Sequence, residues 1–184
     1  MDRFDLTTTN ASVLLIDLQE RFAPAIPSIA ADQPVGRHAR LLRDGAALLQ
    51  VPIVFSEQYP RGLGATLAHL HTPGATVFAK THFSCVEDPA LKTHLADSQR
   101  THVIVAGIEA HVCVLATVAD LIASGRWVVV AADAVASRDP IHAALALEAM
   151  RDLGALTLPV ESILFRLQRQ AGIGAFKALS ALVR

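Results

Sequence analysis

The stretch His102–Gly125, HVIVAGIEAHVCVLATVADLIASG, decides the fold. HVIVA is a continuous apolar run closed by Gly107, with no polar alternation through it. A strand of that kind is buried on both faces. Val112–Ala123 then carries apolar residues at helical spacing, and Gly125 is a natural stop. A doubly buried strand that hands over directly to a helix is the building unit of a parallel sheet.

The same unit recurs on both sides of this stretch. Toward the C-terminus, Trp127–Ala132 predicts a buried strand ending at Asp133. Asp139-Pro140 then starts a helix with a capping Asp and a first-turn Pro, and Gly154 closes it. Leu156–Pro159 predicts a last short strand, and the chain is helical again from Ser162. Toward the N-terminus, Ala75–Ala79 is a weaker strand leading into Lys80, and Pro52–Phe55 is another. Between these two lies a loop, Glu57–Gly64. Val35, Ala39, Leu42, Ala46 and Leu49 mark a helix over Val35–Gln50, and Ser12–Ile16 is a strand running into Asp17. Six strands of this type predict an α/β protein: a three-layer αβα sandwich on a six-stranded, mainly parallel, doubly wound, Rossmann-like sheet. No repeat or linker divides the chain, so residues 1–184 are expected to form a single domain.

Composition narrows the function classes. Apolar residues make up 52% of the 184, enough for a large core, and the 5% aromatic content leaves that core to Ala, Val, Leu and Ile. Sixteen basic residues nearly balance seventeen acidic ones, and no Lys/Arg run forms a phosphate-binding stripe. Nucleic acid and membrane are therefore not expected as partners. The apolar runs are too short and too often broken by charge to span a bilayer. MDRFDLTTTN does not read as a signal peptide, and two cysteines, Cys85 and Cys113, do not make a disulfide framework. A reducing cytoplasm is the expected setting.

In doubly wound sheets, ligands bind beyond the carboxyl ends of the strands. That rule selects Asp17, Glu57, Lys80, Gly107–Cys113 and Asp133. Cys113 falls in the first turn of a helix, where unpaired N–H groups and the helix dipole favour a thiolate and an adjacent oxyanion. Taken alone, an isolated Cys is as readily a small core residue, Asp17 a capping loop residue and Lys80 a solvated strand end. Together they place a carboxylate, an ammonium and a thiol on one edge. His111 reads as a solvent-facing residue at the helix start, and Cys85 as structural. His69 and His71 have no carboxylate at ligand spacing, so no metal site is expected.

The segments LLIDLQERF (14–22), FAKTHFSC (78–85), VAGIEAHVCVLATVADLIASG (105–125) and VVVAADAVASR (128–138) together resemble the isochorismatase-like cysteine hydrolases. SEQYPRGLG (56–64) and the C-terminal ESILFRLQRQAG…FKALSALVR resemble the isochorismatase domain-containing branch. The resemblance implies Cys113 as nucleophile, Asp17 as general acid/base and Lys80 as third member of a triad. It also implies a cis peptide between Ile108 and Glu109 that aims the Glu109 and Cys113 N–H groups at one oxyanion. Nicotinamidases of the superfamily carry metal-binding His residues after the second strand, and SEQYPRGLG has none. Isochorismatases proper typically lack the cysteine. Attack of Cys113 on a carbonyl, in a small amide or related C–N bond, is thus the expected chemistry, with neither metal nor cofactor.

Phe22, Gln58, Tyr59 and Phe83 are the expected pocket walls. A non-catalytic binding or assembly module on the same fold is the alternative, and a redox role for Cys113 a third possibility. Phe176, Leu179 and Leu182–Val183 form an apolar stripe that packs on its own domain or on a neighbour. The family forms oligomers, so a homodimer or larger assembly acting on a small molecule is expected.

Overall fold

The computed structural model describes residues 4–184. Its centre is a six-stranded sheet: β1 (Ala11–Ile16), β2 (Ile53–Gln58), β3 (Thr76–Lys80), β4 (His102–Ile108), β5 (Trp127–Ala136) and β6 (Leu156–Leu158). The spatial order is β3-β2-β1-β4-β5-β6, and every pairing is parallel. The winding reverses between β1 and β4, so the crevice favoured for ligands opens beside their carboxyl ends.

β1 shows why this is a sandwich. All six of its residues are buried. Ala11, Val13 and Leu15 face one core, built with α1 (Pro34–Leu48), α6 (Val160–Gln168) and α7 (Phe176–Leu182). Leu14 and Ile16 face the other, built with α3 (Pro89–Asp97), α4 (Leu115–Ala123) and α5 (Pro140–Asp152). Truncating a fully buried leucine such as Leu14 or Leu15 to Ala costs about 2–5 kcal/mol in cores of this type. The C-terminal stripe packs on its own chain: Leu179 is buried in the first core, and the Phe176 ring lies 6.3 Å from that of Phe165. Among the described residues no helix is long and apolar enough to cross a membrane.

Several elements differ from the sequence expectation, among them α3, β2 and β5. α3 was not predicted, although Asp88-Pro89 carries the same start signal as Asp139-Pro140. The Asp88 carboxylate accepts from the Ala90 and Leu91 N–H groups at 3.1 Å. β2 continues past Phe55 to Gln58, which puts Ser56 and Glu57 inside the strand. β5 continues past Asp133, because its register with β4 slips between Val105 and Gly107 and pairing then resumes at Val135 and Ala136. Asp133 thus lies inside a strand rather than at its end. It accepts from the Val160 N–H at 2.9 Å, capping α6, and meets His38 at 3.6 Å.

Candidate active site

At the carboxyl end of β1 the chain turns sharply. Asp17 has φ 52°, a left-handed conformation that Asp tolerates better than most residues. Its neighbour across the crevice is Gly107, at φ 129°, where an added Cβ would come within 2.1 Å of the Ile16 carbonyl oxygen. Only glycine lets β4 approach β1 this closely.

Asp17 is fully buried, and both its oxygens have partners. Oδ1 accepts from the Ser56 hydroxyl at 2.7 Å, and Oδ2 from the Lys80 ammonium at 2.7 Å. Lys80 ends β3, two strands from β1, so its side chain reaches over the end of β2 rather than from an adjoining strand. It also donates to Gln58 Oε1 at 2.7 Å and lies within hydrogen-bond distance of the His82 and Phe83 carbonyls at 3.2 and 3.1 Å. Neither Lys80 nor Asp17 exposes any side-chain surface. Burial alone would lower the Lys80 pKa, but Asp17 and the two cysteines override it and hold the ammonium above its ordinary value.

Cys113 lies on the turn that follows β4. The Ile108–Glu109 peptide bond is cis. A π-helical turn, Ala110–Val114, then leads into α4. Such wide turns recur at functional sites because they displace one residue from the regular helix surface. Cys113 is 6% exposed and lies in the field of both Asp17 and Lys80. The helix-start position predicted a favoured thiolate, and the structure reverses that expectation for the resting protein. Burial and the Asp17 charge, only partly opposed by Lys80, push the Cys113 thiol up to about 12.

A second layer braces the three groups. Thr117 Oγ1 donates to the Cys113 carbonyl at 2.7 Å and accepts from the Cys85 N–H at 3.0 Å. The Cys85 thiol contacts Ser56 Oγ at 3.5 Å, and that hydroxyl donates onward to Asp17. Cys85 is fully buried, with its thiol pKa raised by burial. It lies much nearer Asp17 than its sequence position indicates, and it does not line the cavity. Gln19, also buried, ties the β1 turn to the end of β2. Its Oε1 accepts from the Gln58 N–H at 2.8 Å, and its Nε2 donates to the Gln58 carbonyl at 3.1 Å.

Cys113 opens onto a cavity of about 510 Å³. Phe22, Gln58 and Phe83 line it, as the sequence predicts, joined by Leu63 and Val112. Tyr59 does not reach it. That residue adopts φ 39° at the start of α2 (Pro60–Leu63), and its ring lies over Gly62, beside a separate depression. His111 is half-buried rather than turned to solvent: Nδ1 lies 2.9 Å from Ser137 Oγ, and its ring centroid lies 4.8 Å from that of His142 on α5, the two rings tilted by 48°.

The sequence reasoning did not identify Ser56, Arg21 or Arg138. Ser56 follows the predicted strand end by one residue, so a longer β2 would have shown it. Arg21 and Arg138 lie inside quoted segments but carry no spacing signal. Arg138 donates to Glu109 Oε2 through both its backbone N–H and Nε, each at 3.0 Å. Burial opposes the ionisation of Glu109, but those Arg138 bonds hold its carboxyl below the ordinary range.

Comparison with known proteins agrees with this architecture. The isochorismatase domain pattern matches residues 11–162. Mouse isochorismatase domain-containing protein 2A is 40% identical over 173 residues, 94% of this chain and 82% of that protein. Among solved structures, the Caenorhabditis elegans protein described as MAR1 ribonuclease superposes with a TM-score of 0.87 at 34% identity, covering 97% of this chain and 91% of that one. Escherichia coli YcaC, described as an octameric hydrolase of unknown specificity, shares the fold at a TM-score of 0.84 and 22% identity, over 90% of this chain and 82% of its own. With the domain pattern spanning β1 to α6 and that degree of identity over nearly the whole length, the chain belongs to the isochorismatase domain family.

Proposed function

We propose that this protein is a metal-independent cysteine hydrolase that cleaves a small amide or related C–N bond through a thioester-type intermediate. One observation carries the proposal: a thiol in the field of a buried carboxylate–ammonium pair lines a cavity of small-molecule size.

The raised thiol pKa fits this chemistry. Losing the Cys113 proton to solvent would leave the buried site with a net negative charge, and that step is what burial and the Asp17 charge oppose. Passing the proton to Asp17 instead leaves a thiolate beside the Lys80 ammonium, with the net charge of the site unchanged. Asp17 is thus the base for Cys113 once a carbonyl is in place. The sulfur attacks the carbonyl carbon, and the Glu109 and Cys113 N–H groups receive the oxygen's developing charge. Asp17 returns the proton to the departing nitrogen as the C–N bond breaks. It then takes a proton from water, whose oxygen attacks the thioester and releases the acid and the Cys113 thiol.

A panel of small amides, ureido and carbamoyl compounds, run against wild type and Cys113→Ala, tests the proposal. Turnover by wild type alone, with a mass increase on Cys113 under acid quench, is the expected result. Turnover that survives in Cys113→Ala would refute it. The nematode relative's description raises RNA cleavage as a second reading, which a labelled oligonucleotide in the same panel addresses. We also expect at least a dimer, since Ile141 and Leu145 leave an apolar face exposed on α5. A monomeric mass by light scattering would remove that expectation.

A further inference from the structure

We infer that Cys85 is the resolving partner of Cys113: a small hydroperoxide oxidises Cys113, and a Cys85–Cys113 disulfide then closes, so the pair is a reversible modification site. The hydrolytic steps do not use the Cys85 thiol. It has no exposed surface and does not line the cavity, so reagents in solution do not reach it. A buried thiol of that kind reacts only with a group inside the protein. Cys113 is packed in the same apolar cluster, and it does line the cavity.

Two sets of contacts tie the cysteines together. Thr117 Oγ1 accepts from the Cys85 N–H at 3.0 Å and donates to the Cys113 carbonyl at 2.7 Å, so one oxygen atom bridges the two backbones. A disulfide needs Cα atoms about 4.4–6.8 Å apart, and its partners must already share such close neighbours. The second set gives Cys85 a route for its proton. The thiol donates to Ser56 Oγ at 3.5 Å, and the Ser56 hydroxyl donates to Asp17 Oδ1 at 2.7 Å. Asp17 is thus a base for both thiols, acting on Cys85 through Ser56. The Lys80 ammonium favours the thiolate of either one.

The steps balance with one hydroperoxide as oxidant. Asp17 takes the Cys113 proton, and the sulfur attacks the terminal peroxide oxygen. The O–O bond breaks, and Asp17 protonates the departing oxygen. Cys113 is then a sulfenic acid, and the remainder of the peroxide leaves as water or an alcohol. Cys85 next passes its proton through Ser56 to Asp17, and its sulfur attacks the Cys113 sulfur. The S–O bond breaks, and the departing hydroxide takes the Asp17 proton and leaves as water. The two thiols together give up two electrons, and the peroxide receives them. The disulfide stops Cys113 short of the sulfinic acid that thiols do not reduce.

The test treats native protein with hydrogen peroxide, blocks remaining thiols with N-ethylmaleimide at acidic pH, and maps non-reduced peptides by mass spectrometry. Wild type should lose two hydrogens and yield a Cys85–Cys113 cross-linked peptide from a single chain. Dithiothreitol should then restore iodoacetamide labelling of Cys113. Cys85→Ser keeps a hydroxyl toward Ser56 but cannot close the disulfide. In that variant dimedone should trap a sulfenic acid at Cys113, and the labelling that dithiothreitol restores after excess peroxide should fall about tenfold relative to wild type. Wild-type Cys113 that reaches the sulfinic acid without an intrachain cross-link, or that recovers no better than in Cys85→Ser, overturns the inference. A cross-link joining the Cys113 residues of two copies overturns it too, as does a Cys113 that peroxide leaves untouched. In each case iodoacetamide labelling of Cys113 in untreated protein leaves the hydrolase proposal standing.

Discussion

Replacing Asp17 by Asn should make Cys113 more reactive toward a simple alkylating agent while abolishing hydrolysis. The two effects have one cause. Asp17 is, after burial, the largest influence raising the Cys113 thiol to about 12, and Lys80 opposes it. Asn keeps the shape, and its one carbonyl oxygen can still accept from Lys80 while its amino group donates to the Ser56 hydroxyl, but it carries no charge. A neighbouring charge at this range moves a pKa by about 1–3 units. The thiolate fraction near neutral pH then rises by the same factor of ten per unit. A less basic thiolate is also a weaker nucleophile, with a Brønsted slope of about 0.5, so the alkylation rate rises by roughly 3- to 30-fold. Hydrolysis loses its general acid and base, worth about 10²–10⁴ in rate. The assay is iodoacetamide labelling of folded protein at pH 8, followed by mass spectrometry, beside turnover of whichever amide the panel identifies. Slower labelling in a folded Asp17→Asn protein would show that Asp17 promotes thiolate formation in the resting site, and the charge-conserving proton transfer would be wrong.

Lys80→Met should be strongly destabilising. It strands a fully buried Asp17 carboxylate and removes a donor from the Phe83 carbonyl, a loss of about 3–5 kcal/mol for a broken buried pair. Urea unfolding measures it, and a loss below about 1 kcal/mol would mean that water reaches Asp17. Stability should also fall on the alkaline side. The Cys113 pKa is raised on folding from 9.0 to about 12, so the native state keeps a proton that the unfolded chain has lost. The contribution is complete below pH 9 and declines by about 4 kcal/mol as pH rises toward 12. The raised pKa values of Cys85 and Lys80 act in the same direction. Unfolding midpoints that stay level from pH 8.5 to 11 would contradict those assignments.

Much of this architecture is legible in the sequence because it rests on local signals. β4 is a run of doubly buried residues that Gly107 closes. Asp17 is visible because it directly follows such a strand and Cys113 because it falls in the first turn of the helix after one, and the family resemblance implies their roles. What stayed hidden depends on register. The slip between β4 and β5 carries Asp133 away from the strand end and makes it a helix cap, and no residue type marks that slip. Ser56 and Cys85 are 29 residues apart, and their contact exists only because the β3–α3 loop folds under the end of β2. Tyr59 was expected in the pocket because its loop lies at the same sheet edge, but a left-handed backbone angle turns it away.

The two cysteines pose the sharpest remaining test of how the site is organised, since both lie in the field of the same Asp17 and Lys80. Charge alone does not separate them. Access does: Cys113 lines the cavity, whereas Cys85 has no exposed surface and contacts the Ser56 hydroxyl. Native protein should therefore take up a single alkyl group, at Cys113, and unfolded protein two. Cys85→Ala should leave the Cys113 labelling rate nearly unchanged while costing about 1–2 kcal/mol for the lost sulfur packing. Its effect on turnover should appear in kcat rather than KM, because Cys85 meets Ser56 and Ser56 meets the base, while neither lines the cavity. A KM increase with kcat unchanged would place Cys85 in contact with substrate. The division between a thiol that reacts and a thiol that braces the base would then be wrong.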